Sequence, residues 1–306
     1  MSTIFYYKGQ PYDTDNLHQI GQGGEGNVYT LEKDGETVVK IYHGSDKLNQ
    51  SIKNLSQDEQ QQRTALEKIQ DKLRNVPADI PEKVAKPKGV AFNTDRKKIV
   101  GFGMTRIDGY SLNRYIHKKE YRQSREFLVK ILINLHVLVQ TLHQRGIIVG
   151  DFTPDNVIVN VKNGFPSCHL VDFDSMKWGS YEGTGFQWDM TDPLLFGKPD
   201  WLNPNQPMKP FTKDSDWYSF TAITMKVLTR VGPYDGVIDG QSKHRHLKGE
   251  ERLAHRLSVF SPHVNYPKAG IPLGEFSPQL TNYWKEVFIE DLRGTFPFQL
   301  LMQLKS

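Results

Sequence analysis

The sequence has little of what marks several large classes of protein. Cys168 is its one cysteine in 306 residues, which excludes an internal disulfide, and no Cys/His spacing is typical of a zinc site. Lysine and arginine number 39 against 35 aspartates and glutamates. The two signs are interspersed, so no basic stripe indicates a nucleic-acid or membrane surface. A reducing compartment, the cytoplasm, is therefore expected.

Long hydrophobic runs and internal repeats are also lacking. The first ten residues carry no basic region followed by an apolar run, and the most apolar stretch, 127–142, is interrupted by polar residues. Neither a signal peptide nor a membrane span is predicted. With 37% hydrophobic residues the chain can bury a large core, and its length indicates about two lobes or domains.

What the sequence does have begins with a glycine-rich segment. Gly21, Gly23 and Gly26 stand in the order G-x-G-x-x-G, and strand-forming runs follow on either side of an Asp34-Gly35 turn signal. A dinucleotide-binding glycine motif must open a helix, so a Rossmann fold is excluded, and no Walker GK[ST] is present. These glycines let a hairpin tip lie close over phosphates, with backbone N–H groups directed at the oxygens.

A lysine lies in the second of these strands. Strand alternation puts Lys40 on the same face as Val38, with Val39 and Ile41 on the other. If the hairpin holds a nucleotide, Val28 and Val38 contact the base while Lys40 reaches the α- and β-phosphate oxygens.

A buried lysine also needs a carboxylate, and the following helical segment offers two. Glu59 lies three residues after Ser56 and fits a capping box. Glu67 is central in the helix and free to pair. Glu67 is the preferred partner of Lys40, and Glu59 stays an alternative.

A second polar segment follows an amphipathic helix predicted at 124–145 and ended by Gly146. After a short apolar run comes Asp151, whose role would be to orient a substrate hydroxyl and accept its proton. Asp216 opens a later helical segment, where it is either a plain N-cap or a partner for backbone N–H groups nearby.

Two further polar residues are brought together by a predicted hairpin. Strands at 157–161 and 169–172 flank a turn of residues 162–167, so Asn156 and Asp172 lie roughly opposite each other. An amide oxygen and a carboxylate are hard ligands suited to Mg²⁺.

Taken together, these residues resemble the eukaryotic-like protein kinase family over about residues 20–236. The resemblance implies an α+β fold that is bilobal and protein-kinase-like, with ATP in the cleft. Residues 1–106 would form a small β-rich lobe with the glycine-rich loop, the lysine and the main helix. Residues 107–306 would form a larger, mainly helical lobe with the catalytic loop, the metal-binding hairpin and the activation segment.

The resemblance also implies roles for single residues. Asp151 is the expected catalytic residue, together with the pair Lys40 and Glu67, and Asp216 is expected to brace the catalytic loop. Asn156 and Asp172 are the expected ligands of Mg²⁺, with Mn²⁺ as an alternative metal. Met104 is the expected gatekeeper at the start of an adenine-binding segment. The expected ATP-binding residues are Gly21, Gly23, Gly26, Val28, Val38, Lys40, Met104, Thr105, Arg106 and Ile107.

Within the family, three stretches are most similar to bacterial kinases that are often fused to a helix-hairpin-helix DNA-binding segment. These are the Gly-Gly-Glu-Gly loop at 23–26 and the runs at 171–175 and 232–236. No such segment, and no other nucleic-acid module, is recognised in this sequence.

Several positions depart from the family pattern. Val149 and Gly150 replace the His-Arg before the catalytic aspartate, so control through a phosphorylated activation segment is not expected. Thr153 replaces the lysine that neutralises the γ-phosphate in serine/threonine kinases. Asp174 replaces the motif glycine, and no Ala-Pro-Glu is recognisable near Asp192. Slow transfer, or an unusual acceptor, would follow.

The leading hypothesis is an ATP- and Mg²⁺-dependent kinase that phosphorylates serine or threonine on a protein substrate of unknown identity. A small-molecule kinase of the aminoglycoside or choline type is an alternative, although those typically lack this glycine-rich loop and the Asp216 helix. A pseudokinase that binds nucleotide as a scaffold is the other alternative. The sequence leaves the oligomeric state open.

Overall fold

The computed structural model describes residues 3–31, 35–48, 53, 55–196, 209–247 and 249–304. The chain divides into two compact units, Met1–Asp108 and Gly109–Ser306. Asp34 of the predicted turn lies outside the described residues, and Gly35 beside it has a φ of 61°.

The first unit is built on one antiparallel sheet. Its strands are β1 (Ile4–Tyr7), β2 (Gln10–Asp13), β3 (His18–Gln22), β4 (Gly26–Thr30), β5 (Thr37–Tyr42), β6 (Pro87–Phe92) and β7 (Ile99–Thr105). They lie in the order β2-β1-β6-β7-β5-β4-β3. Central β5 is buried along its whole length between β4 and β7, which fits its run of β-branched residues.

One long helix accompanies this sheet. Helix α1 (Gln57–Arg74) begins at the predicted capping box: the Ser56 side chain accepts from the Glu59 N–H, and the Glu59 carboxylate accepts from the Ser56 N–H. Buried Gln70 attaches the helix to β7, because its amide donates to the Ile99 carbonyl at 2.6 Å and accepts from the Ile99 N–H at 2.7 Å. The helix is therefore held by directed bonds as well as by its apolar face.

The second unit is mainly helical, with short strand pairs. Its helices are α2 (Leu112–His117), α3 (Arg125–Gln144), α4 (Lys213–Thr229), α5 (Glu250–Ala254), α6 (Pro278–Ile289) and α7 (Phe298–Gln303). Its strands are β8 (Tyr110–Ser111), β9 (Ile147–Ile148), β10 (Val157–Lys162), β11 (Phe165–Leu170), β12 (Lys177–Trp178), β13 (Val237–Ile238) and β14 (Val264–Asn265). Among the described residues these strands form the sheets β11-β10-β8, β12-β9 and β13-β14.

Helix α3 lies in the core of this unit. Ser124 caps its N-terminus and Gly146 follows its end at a φ of 71°, as predicted. By length and composition alone the helix could cross a membrane. It packs against α4, α7 and β11, however, and half of its most apolar window is buried. This is the pattern of a core helix.

The hairpin of β10 and β11 is tighter than predicted. Strand β11 begins at Phe165, so the turn is only Asn163-Gly164, and both residues have positive φ, 52° and 81°. This is the conformation that a two-residue type I′ turn requires. The longer turn predicted over 162–167 was wrong, because Asn-Gly alone closes the hairpin.

Candidate active site

The glycine-rich segment forms the hairpin of β3 and β4. The Gly23 N–H donates to the Gly26 carbonyl at 2.9 Å and closes the tip. A Cβ on Gly26 would collide with the carbonyl oxygen of Ile41 in β5, so only glycine allows this spacing of the strands. A Cβ on Gly21 or Gly23 would meet its nearest atom at 3.6 Å, an ordinary contact. Packing alone therefore requires glycine at 26 but not at 21 or 23.

The sheet register places four of the predicted nucleotide-binding residues on one face. Val28 lies opposite Lys40, and Val38 lies opposite Met104. Directly opposed residues share a face, as do residues i and i+2 of one strand. Val28, Val38, Lys40 and Met104 therefore line the same side of the sheet.

The segment after Met104 continues the sheet edge before the chain leaves it. Thr105 ends β7 opposite Thr37. The Arg106 N–H donates to the Glu36 carbonyl at 2.6 Å, so it is already used within the protein. Ile107 follows and is half-buried.

The buried ammonium of Lys40 has a carboxylate partner that differs from the sequence-based expectation. Lys40 is 5% exposed, and its Nζ lies 3.4 Å from Oε2 of Glu25 in the glycine-rich hairpin. Glu67 instead accepts from Arg63, one turn earlier on α1, at 3.1 Å. Glu59 is engaged in the capping box and lies 3.3 Å from Lys47. Both helix glutamates thus have local partners, and the hairpin supplies a carboxylate to Lys40.

In the second unit, Asp216 holds the backbone that leads into Asp151. Asp216 is fully buried, and its Oδ2 accepts from the Val149 N–H at 2.7 Å while its Oδ1 accepts from the Gly150 N–H at 2.9 Å. Since an ionised carboxylate only accepts, His143 donates from Nε2 to the same Oδ2 at 2.7 Å. Thr212 is the N-cap of α4. The plain N-cap alternative for Asp216 is therefore wrong.

The loop after this anchor is fixed by a second polar residue. The amide nitrogen of Asn156 donates to the Asp151 carbonyl at 2.9 Å and to Asp151 Oδ2 at 3.2 Å. The chain also turns through Gly150 at a φ of 76°, a conformation that favours glycine over a larger residue. Asp151 therefore has a defined backbone on both sides.

The second predicted metal ligand, Asp172, lies two residues after the end of β11. The Asn156 carbonyl accepts from the Val171 N–H at 3.0 Å, so Asn156 lies opposite Val171, one residue short of Asp172. Asp172 adopts the left-handed conformation, with φ 61° and ψ 45°. The Ser175 hydroxyl donates to the Asp172 carbonyl at 2.7 Å and steadies the turn. A non-glycine residue in this region costs about 1–2 kcal/mol, and such strain clusters at functional sites.

The donors of this hairpin fit a hard divalent cation. The amide nitrogen of Asn156 is directed at Asp151, so its carbonyl oxygen lies on the opposite side of the amide. Asp172 and the fully buried Asp174 add carboxylate oxygens within the same turn. Amide and carboxylate oxygens are the donors that Mg²⁺ prefers, and no sulfur or imidazole belongs to this set.

Comparison with known proteins decides the family. Residues 14–268 match the model of the protein kinase domain. The chain belongs to this family. The protein kinase fold that the resemblance implied, with its β-rich and helical lobes, is thereby confirmed.

Individual relatives resemble the chain more distantly. Protein kinase YegI of Escherichia coli (strain K12) is 26% identical over 165 residues, 52% of this chain and 23% of its own. Serine/threonine-protein kinase PknA of Nostoc sp. is 29% identical over 105 residues, 34% and 18% of the two chains. Ribosomal protein S6 kinase alpha-6 of Mus musculus is 24% identical over 260 residues, 83% and 31%. The chain spans less than a third of the length of these relatives.

Sequence reasoning missed two polar residues of the site. Glu25 was seen only as part of the glycine-rich loop, although a carboxylate at the tip of a hairpin next to a strand lysine is a signal of pairing. His143 carries no sequence signal of its role, because its partner Asp216 lies 73 residues further along the chain. His143 lies in the last turn of α3 and completes the hydrogen bonds of Asp216.

Proposed function

We propose that this protein is an ATP- and Mg²⁺-dependent protein kinase that transfers the γ-phosphoryl group to a serine or threonine hydroxyl. One observation carries the proposal: the backbone before Asp151 is bonded to buried Asp216, and the Asp151 carboxylate is bonded to Asn156. A rigid carboxylate of this kind suits a reaction that depends on positioning and charge neutralisation. The family assignment supplies the reaction class.

The first unit would bind the nucleotide. Val28, Val38 and Met104 offer an apolar surface on the sheet face, and Lys40 offers the cation on that same face. We assign the base to the apolar residues and to the segment 105–107. The phosphate oxygens would accept hydrogen bonds from backbone N–H groups of the glycine-rich hairpin and from the ammonium of Lys40.

The second unit would act on the acceptor. Asp151 orients the substrate hydroxyl and receives its proton as the oxygen attacks the γ-phosphorus and the bond to ADP breaks. Asn156 and Asp172 would hold Mg²⁺, which supplies neutralisation of the phosphate charge. Asp216 and His143 keep the Asp151 loop in place without touching the reactants.

Serine or threonine as the acceptor is supported by the similarity to PknA, a serine/threonine-protein kinase. Thr153 stands where a lysine is usual, and it is 4% exposed. The site therefore has one cation fewer for the developing charge, and we expect slow turnover. We also propose a cytoplasmic location, a protein substrate, and relationship to the bacterial kinases that carry a helix-hairpin-helix segment.

The test is phosphate transfer from MgATP to a generic basic protein, followed by intact mass and by mapping of the modified side chain. Asp151→Ala and Asp172→Ala should both abolish transfer, and the phosphate should lie on serine or threonine. ATP binding without any turnover would favour a pseudokinase. Turnover only with aminoglycosides or choline would favour a small-molecule kinase. Absence of ATP binding would contradict the assignment of the hairpin and Lys40.

A further inference from the structure

The partner of Lys40 points to a residue that the kinase assignment alone does not supply. Lys40 lies in the row Val28, Lys40, Phe102 across β4, β5 and β7, where its ammonium is largely removed from water. The Lys40 side chain is 7% exposed and that of Glu25 is 37% exposed. A buried cation needs a nearby anion, and Glu25 provides one at 3.4 Å.

The position of Glu25 is itself fixed by the backbone of the hairpin. The His43 N–H, just after β5, donates to the Glu25 carbonyl at 2.8 Å. The His43 ring nitrogen Nε2 lies 3.0 Å from the Gly23 carbonyl. Close contact of Gly26 with β5 adds a third constraint. The tip is thus attached to the end of the strand that carries Lys40.

The two helix glutamates that the sequence offers as partners contact other groups among the described residues. Glu67 is bonded to Arg63, and Glu59 to Ser56 and Lys47. Moving either carboxylate to Lys40 would break the local bonds that it now makes.

We infer that Glu25 is a positioning residue for Lys40: the glycine-rich hairpin supplies a carboxylate that orients the phosphate-binding ammonium. This inference rests on the proposed nucleotide site. Its consequence is that the hairpin and the lysine act as one element. A hairpin that moves away from β5 would also release Lys40.

The experiment compares Glu25→Gln, Glu25→Asp and Glu67→Gln with the wild type, and it uses Glu82→Gln, an exposed residue of the same unit, as the matched control. MgATP affinity is measured by calorimetry, and kcat and KM for ATP by ADP release. Glu25→Gln should lower kcat/KM for ATP about tenfold, since a bond between a charged donor and acceptor is lost at a partly exposed site. Glu25→Asp should recover part of the loss, because it restores the charge but not the full reach.

A double-mutant cycle separates positioning from a general effect on the fold. If Glu25 acts through Lys40, adding Glu25→Gln to Lys40→Ala should change MgATP affinity by less than about twofold. Full additivity of the two changes would overturn the inference. So would a Glu67→Gln variant that loses activity while Glu25→Gln keeps it.

The outcome does not depend on finding the acceptor. If the wild type binds MgATP but transfers no phosphate, the proposed kinase activity fails, while the affinities of the same variants still test Glu25. Glu25→Gln with wild-type affinity and an unchanged melting temperature would refute the positioning role in either case.

Discussion

The anchor at Asp216 yields a quantitative prediction. Its two carboxylate oxygens accept three hydrogen bonds, from the N–H groups of Val149 and Gly150 and from His143. Asp216→Asn keeps one accepting oxygen and replaces the other by an NH₂ group, which cannot accept. The least destabilising orientation of the new amide keeps its oxygen toward the Val149 N–H and the His143 ring. The Gly150 N–H then faces another donor.

The magnitude follows from that geometry. One buried donor without a partner costs about 1–3 kcal/mol, and loss of the charge weakens the two remaining bonds. We expect Asp216→Asn to lower the free energy of unfolding by about 2–3 kcal/mol, and Asp216→Ala by about 3–5 kcal/mol, because all three donors lose their acceptor.

We expect kcat for phosphate transfer to fall by more than the loss of folding stability alone accounts for. The released N–H groups directly precede Asp151, and a misplacement of about 1 Å at a catalytic group can cost about 100-fold in rate. The assay is urea unfolding together with kcat for phosphate transfer. Asp214→Asn is the matched control, since Asp214 is exposed in the same first turn of α4 and should cost less than about 1 kcal/mol. Equal effects of the two substitutions on stability and rate would refute the anchoring role.

Three further predictions concern other parts of the fold. Arg293→Met should cost about 3–5 kcal/mol in chemical unfolding, because it leaves the buried Asp192 carboxylate without the bidentate partner that now lies at 2.7 and 2.8 Å. Burial lowers the pKa of His136 below its usual 6.5. The unfolded chain therefore binds the proton more readily, and the free energy of unfolding falls as the pH drops below about 6.5. His136→Gln should flatten this pH dependence in urea titrations between about pH 7 and 5. Gly26→Ala should cost about 1–3 kcal/mol and weaken MgATP binding, whereas Gly24→Ala, where a Cβ meets nothing within 4 Å, should do neither in calorimetry. Unchanged stability for Arg293→Met, an unchanged pH slope, or equal effects of the two glycine variants would each contradict the corresponding reasoning.

Local patterns were enough to predict much of the fold. The capping box at Ser56 and the helix stop at Gly146 both depend on neighbouring residues, which the sequence displays directly. The shared face of Val38 and Lys40 follows from strand alternation in the same way.

The contacts between distant segments were harder to predict. Alternation gives the face of a strand but does not fix its register with the partner strand. Asn156 was expected roughly opposite position 172, and it lies opposite Val171, one residue away. The partner of Lys40 depends on how a hairpin tip folds back on β5, which no periodicity encodes. The bonds from Asp216 to the Asp151 loop were predicted by family resemblance, whereas the sequence pattern alone left an N-cap equally open.

The most direct test of the central assignment is phosphate transfer by the wild type beside Asp151→Asn and Asp155→Asn. Asp155 lies in the same loop but is exposed and bonded only to Asn113 among the described residues. Intact-mass analysis after incubation with MgATP and a basic protein acceptor should show phosphorylation by the wild type and by Asp155→Asn. Asp151→Asn should be slower by about 100-fold or more, because the hydroxyl proton has lost its acceptor. Equal transfer by all three proteins, or no transfer by any of them, would contradict the account of Asp151 as the catalytic base of a protein kinase.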